Sequence, residues 1–281
     1  MDISENDLDD LIYAKSLLEN PGLAVKITSA LGTPIEKGID LLPKGWHAMV
    51  EKGTRKALEA SVTSAILTMN TRQQRDSANR IHKMMVAGIG AAGGFWGLPA
   101  ISIELPLSTT VMLRSIADIA RSEGHDLNSA AIKMSCLEVF AFGGPGKNDD
   151  SAETGYFAVR TALAKAVNDA AKHIASKGLA ESSAPALVRL ITQITSRFGV
   201  QVTEKIAAQS IPLLGAAGGA VINTLFIDHF QTMARGHFMV LRLEAKYGEE
   251  VIRKLYNSED LGDRTEDLGN RAKDLGDRTE G

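Results

Sequence analysis

The chain has 281 residues, 44% hydrophobic and only 5% aromatic, with a net charge of −3 and a single cysteine. That length carries a substantial buried core, and the scarcity of aromatics beside many small residues argues against an all-β sandwich and for closely packed helices. Cys136 alone excludes an intrachain disulfide and fits a reducing compartment, and its neighbours Met134, Leu137 and Val139 mark it as a core filler.

The N-terminus, MDISENDLDD, is acidic and lacks the basic-then-apolar order of a secretory signal. Ser4 and Asp7 form a capping-box signature, and Leu8, Leu11, Ile12 and Leu18 follow at helical spacing until Pro21-Gly22. Gly32 marks a turn, and Pro34 and Pro43 bracket a short helix. Residues 44–69 and 72–87 read as two amphipathic helices, the second with Arg72, Arg75, Asn79, Arg80 and Lys83 on one face. A helix of about 98–123 should close at Gly124, and Asn128 can cap the next, which ends at Gly143-Gly144-Pro145-Gly146. Two further stripes follow: Tyr156 to Ile174, and Leu187 to Phe198. The last long helix spans about 213–247 and stops near Gly248. The expectation is an all-α domain over 1–258, with an internal sub-boundary at 143–152.

Residues 259–281 repeat a heptad, EDLGDRT, EDLGNRA, KDLGDRT. Each unit holds one leucine followed by glycine, whereas a coiled-coil seam needs two apolar positions per heptad. The tail therefore reads as a solvated, disordered extension with eight acids and four bases, a net −4 that leaves the body at +1.

Residues 90–124 and 215–248 both begin GAAGG and end on a helix-closing glycine. Each opens a charge-free run, 20 residues between Lys83 and Glu104 and 22 between Lys205 and Asp228. Two similar Gly/Ala-rich helical units packed at the centre are expected. Gly88-Ile-Gly90-Ala-Ala-Gly93 fits G-x-G-x-x-G, but no alternating strand precedes it, so a dinucleotide loop is set aside. Both runs are long enough to span a bilayer, yet Pro99, Pro106, Ser102, Ser108, Gln209 and Asn223 interrupt them. The spacings Gly90–Gly94, Gly93–Gly97 and Gly215–Gly219 instead suit close helix crossing.

The polar residues inside these runs are Glu104, Arg114, Asp118, Asn223, Asp228 and His229. Ionised groups in an apolar layer need partners, so Glu104, Arg114 and Asp228 are expected to share a polar network, or to floor a ligand pocket. Arg114 and Asp118 are one turn apart and can pair. His229 and His237 lie two turns apart, the wrong spacing for a helical metal pair, and no metal or cofactor is expected. Arg72, Arg75, Arg80 and Lys83 form a basic patch suited to an anionic membrane surface; the absence of interleaved aromatics argues against nucleic acid. Trp46 and Trp96 flank this region, as interfacial anchors or as core.

The order Gly93-Gly94, Gly97-Leu98-Pro99, Glu104-Leu105-Pro106, Thr109, Arg114, Ile119-Ala120 and Gly124 resembles the central block of the EcsC family. Ile211-Pro212, Gly215-Ala216, Gly219, Asn223, Phe238, Arg242-Leu243 and Tyr247-Gly248 resemble its C-terminal block. The resemblance covers about residues 10–255. It implies a helical bacterial protein, named after a member encoded beside an ABC transporter, and brings no catalytic residues with it. A peptidase label sometimes given to members finds no H-E-x-x-H or G-x-S-x-G here.

The sequence thus favours a non-enzymatic helical protein that sits in the cytoplasm, peripherally at the inner face of the membrane, or binds lipid, in support of a membrane transporter or envelope process. A soluble interaction module and a hydrolase are the alternatives.

Overall fold

A computed structural model describes residues 3–19, 22–62, 82–86, 88, 101–144, 155–177, 184–211, 215–258, 261–262 and 265. All regular structure among the described residues is helical, as composition and periodicity predict. In chain order the helices are α1 (Glu5–Leu18), α2 (Leu23–Leu31), α3 (Glu36–Ile39), α4 (Trp46–Ser61), α5 (Ile101–Ser122), α6 (Ala130–Glu138), α7 (Gly155–Lys177), α8 (Pro185–Gln209), α9 (Gly215–Tyr247) and α10 (Glu249–Tyr256). A 3₁₀ turn, Val139–Ala141, extends α6, and residues 82–86 are also helical.

Local chemistry sets many of the ends. Ser4 caps α1: its hydroxyl accepts from the Asp7 amide at 3.3 Å and donates to the Asp7 carboxylate at 2.6 Å. α2 stops at Gly32, whose φ of 61° supplies the left-handed residue that satisfies the last carbonyls. α5 runs through Pro106 without breaking; its orphan carbonyl end is closed at Gly124, and α9 ends at Gly248 as expected.

α9, 33 residues and about 50 Å long, is the spine. It packs on α1, α5, α8 and α10. α5 lies parallel to it, because Glu104 meets Asn223, Ser115 meets Gln231 and His125 meets the Phe238 carbonyl. α8 lies antiparallel, with the Lys205 amine 4.9 Å from the Phe226 ring and Phe198 packed on Phe230. Phe140, Phe198, Phe226 and Phe230 interlock at the centre with ring centroids 4.8–6.0 Å apart. Cys136 is fully buried there, and burial pushes its thiol up, as suits a small hydrophobe.

One continuous cluster of buried side chains reaches from Leu11 to Leu261. The helices flanking the Gly/Pro loop, α6 and α7, pack on each other. Leu261, first of the three repeat leucines, is 1% exposed; Leu268 and Leu275 lie outside the described residues.

Among the described residues, two close helix crossings occur at glycines the sequence does not mark out. A Cβ on Gly38 of α3 would lie 2.0 Å from the Ala207 carbonyl oxygen of α8. One on Gly236 of α9 would lie 2.7 Å from Leu18 Cγ and 3.0 Å from the Ala14 carbonyl oxygen of α1. Gly90, Gly93, Gly94 and Gly97 lie outside the described residues. Gly215 opens α9, and Gly219 is buried one turn on.

Candidate functional site

Four helix ends meet at one end of the bundle. α8 finishes there, α5 and α9 begin there, and α3 leads into α4 beside them. Glu104, in the first turn of α5, is 5% exposed. Its carboxylate takes an ion pair from Lys205 at 2.7 Å and hydrogen bonds from Asn223 at 3.0 Å and Gln209 at 3.4 Å. The Asn223 amide also donates to the Val86 carbonyl at 3.2 Å, joining residues 82–86 to α9. Lys205 is 2% exposed, and burial pulls its amine below the usual lysine range, while Glu104 opposes that shift. Gly38 abuts Ala207, and Gly53 of α4 lies 3.9 Å from Leu105 Cδ2. These contacts fix α3, α4, α5, α8 and α9 around one buried ion pair.

What surrounds that pair is apolar and faces outward. Ile103 is 69% exposed and Met84 75%; Leu107, Met85, Val221, Met49 and Leu41 are also exposed. Each of the first five lies within about a turn of Glu104, Val86 or Asn223 along its own helix. Met49 precedes Gly53 by one turn, and Leu41 follows Gly38 by three residues. Seven of the twelve exposed large apolar side chains among the described residues therefore lie within about a turn, along the chain, of a residue that frames the ion pair. Isolated surface leucines need no explanation, but a gathered set marks an interaction surface. Lys37, Lys44 and Lys52 are exposed beside Leu41 and Met49. Trp46 is half-buried and stacks on His47, with ring centroids 3.6 Å apart.

The predicted polar residues divide between separate places. Glu104 and Asn223 come together. Asp228 instead pairs with Lys83, so that cation of the expected basic patch is neutralised and half-buried. Arg114 is exposed and lies ten residues, about 15 Å, along α5 from Glu104, outside its network. Asp118 pairs with Arg121. His229 is fully buried, and burial lowers its pKa to about 4 against an opposing contact with the Phe142 backbone, which keeps it neutral. Its ring edge faces Gly143, where a Cβ would sit 2.4 Å away. Arg72, Arg75 and Arg80 lie outside the described residues.

Sequence reasoning missed Lys205 and Gln209 as the partners of Glu104. The signal was a lone cation on the apolar face of α8, between Val202 and Ile206. It also missed a second buried polar group at the opposite end. There Tyr156 Oη and His237 Nδ1 are 2.8 Å apart, and His237 Nε2 lies 3.9 Å from Glu138. Arg160 donates two hydrogen bonds to Glu244, at 2.6 and 2.9 Å, while its guanidinium lies 5.5 Å from the Tyr156 ring centre. Burial raises Glu138 to about 7 and drives His237 well below the usual imidazole range. Phe142, Phe157 and Tyr256 enclose these groups, so they cross-link α6, α7 and α9 from inside.

The blocks around Glu104 and Asn223 that hold the apolar end together fall inside the span matched by one family model, residues 19–243. The chain belongs to the EcsC protein family. No curated protein and no solved structure matches it. Among the described residues, no helix is long and apolar enough to cross a membrane, and no group of three or more His, Cys, Asp or Glu side chains is placed to hold a metal ion.

Proposed function

We propose that this EcsC-family chain is a non-enzymatic helical protein that associates peripherally with the inner face of the cytoplasmic membrane, binding anionic lipid through the end of the bundle where α5 and α9 begin. The carrying observation is that Met84, Met85, Ile103, Leu107, Val221, Met49 and Leu41 are all exposed and each lies within about a turn, along the chain, of a residue framing the buried ion pair. Burying apolar side chains in acyl chains returns roughly 1.5–3 kcal/mol per fully transferred residue. Lys37, Lys44 and Lys52, exposed beside Glu36, Asp40 and Glu51, can contact anionic headgroups individually, at about 1 kcal/mol each near such a surface.

Vesicle flotation tests the reading. The protein should float with vesicles containing phosphatidylglycerol and lose much of that binding in high salt. Ile103→Glu with Leu107→Glu should abolish it, while Val188→Glu, 17 residues and about 25 Å before Lys205 on α8, should not. Failure to bind anionic vesicles at low salt would overturn it, and co-purification with a membrane protein instead would favour an interaction module.

A further inference from the structure

The methionines of this chain are sorted by place. Of nine in the sequence, Met112, Met134 and Met233 are fully buried and Met239 is 6% exposed. Met49, Met84 and Met85 are the exposed ones among the described residues; Met84 and Met85 adjoin Val86, whose carbonyl accepts from Asn223, and Met49 lies one turn before Gly53, which approaches Leu105. Methionine ranks among the residues most often buried, so three with about half or more of their surface in solvent is a distinct arrangement. Its unbranched thioether moulds to irregular apolar partners, and it is the one aliphatic side chain that a mild oxidant converts to a polar group.

We propose that Met49, Met84 and Met85 form a peroxide-sensitive modification site that switches off the lipid-binding end. The inference rests on the membrane reading above. Each thioether sulfur attacks one oxygen of hydrogen peroxide: an S–O bond forms, the O–O bond breaks, the sulfur gives up an electron pair, and the departing hydroxide takes up the proton as water. The product, methionine sulfoxide, is polar and chiral, and it opposes transfer from water into lipid. Placement makes the reaction selective. The buried sulfurs of Met112, Met134 and Met233 sit in the core and are shielded, so mild oxidation alters the face and leaves the fold alone.

The test treats full-length protein with limited hydrogen peroxide, maps sulfoxide by peptide mass spectrometry, and measures flotation on vesicles of phosphatidylcholine and phosphatidylglycerol in equal parts. Sulfoxide should appear at Met49, Met84 and Met85 well before Met112, Met134 or Met233, and vesicle partitioning should fall by about tenfold or more. Methionine sulfoxide reductases should restore it. The triple variant M49L/M84L/M85L should float like the unmodified protein and keep floating after peroxide. If the untreated protein does not float, the membrane reading fails and this inference with it. If it floats and the three sites either resist oxidation or carry sulfoxide without loss of binding, the inference alone is overturned. Equal peroxide sensitivity in the triple leucine variant overturns it too.

Discussion

The two ends of α9 solve opposite problems. Around residues 219–228 the polar groups are inside and large apolar groups outside: Glu104 and Lys205 are buried together, while Ile103, Leu107, Met84 and Met85 face solvent. Around residues 237–247 the surface is laced with ion pairs, Arg242 with Asp10 and Lys246 with Asp7, and Arg160 with Glu244 beneath. There the aromatics are inside, with Phe142, Tyr156 and Tyr256 packed about His237. A surface whose charges pair with one another is complete by itself. A surface that leaves isoleucine and methionine in water calls for a partner. The buried polar cluster with the most displaced pKa values lies at the complete end and holds helices together, so perturbed titration marks architecture here, and the proposed function is argued from exposed apolar area instead.

The largest effect should come from cutting the ion pair that frames the apolar end. Lys205→Met leaves the Glu104 charge buried and unpaired, at a cost of about 3–5 kcal/mol. Adding Glu104→Leu should recover most of that loss in the denaturation midpoint. A double variant as unstable as the single one would mean that the hydrogen bonds of Asn223 and Gln209, and not the charge, set the cost. Next come the two glycine crossings, one near each end. Gly38→Ala drives a methyl into backbone and should cost about 1–3 kcal/mol. Gly236→Ala first meets the movable Leu18 side chain and should cost less by thermal unfolding.

The far end has its own signature in pH. Glu138, raised to about 7, binds its proton more tightly in the folded state, so its contribution is full below the unfolded value near 4.5 and is lost as pH rises through 7. His229, near the middle of α9 and lowered to about 4, acts oppositely: its contribution is present above 6.5 and lost as pH falls through 4. Glu138→Gln should therefore match the parent near pH 4.5 and exceed it at pH 8 by on the order of 1–3 kcal/mol. Calorimetry across pH 4–9 reads this, and parallel curves for the two proteins would contradict it. The smallest stability change belongs to Ile103→Glu with Leu107→Glu, within about 0.5 kcal/mol because both side chains are exposed. A large loss would show that these residues are covered in the folded protein, and the contrast between the two ends would fail.

Helix boundaries were the most legible part of the sequence because they depend on neighbours. Ser4 with Asp7, Gly32, Gly124 and Gly248 act where their residue types predict. The apolar stripe of α7 is also placed as its spacing requires, with Tyr156, Leu163, Ala170 and Ile174 buried. Partners across the fold were not legible. An ionised Glu104 in an apolar run needs a partner, but nothing local shows that it meets Lys205, 101 positions away. Asp228 looked like a member of the same network, yet its position on α9 turns it toward Lys83. Gly38, unremarked within a short helix, proved to be a close backbone crossing, because glycine's role there depends on Ala207 from a distant segment.

The most direct test attaches an environment-sensitive fluorophore to single introduced cysteines, Ile103→Cys and Val188→Cys, with Cys136 left in place because it is fully buried. On adding phosphatidylglycerol-containing vesicles, the label at 103 should brighten and shift to shorter wavelength, and brominated acyl chains should quench it. The label at 188 should not respond. An unchanged label at 103, or equal responses at both positions, would contradict a membrane-facing end at the start of α5.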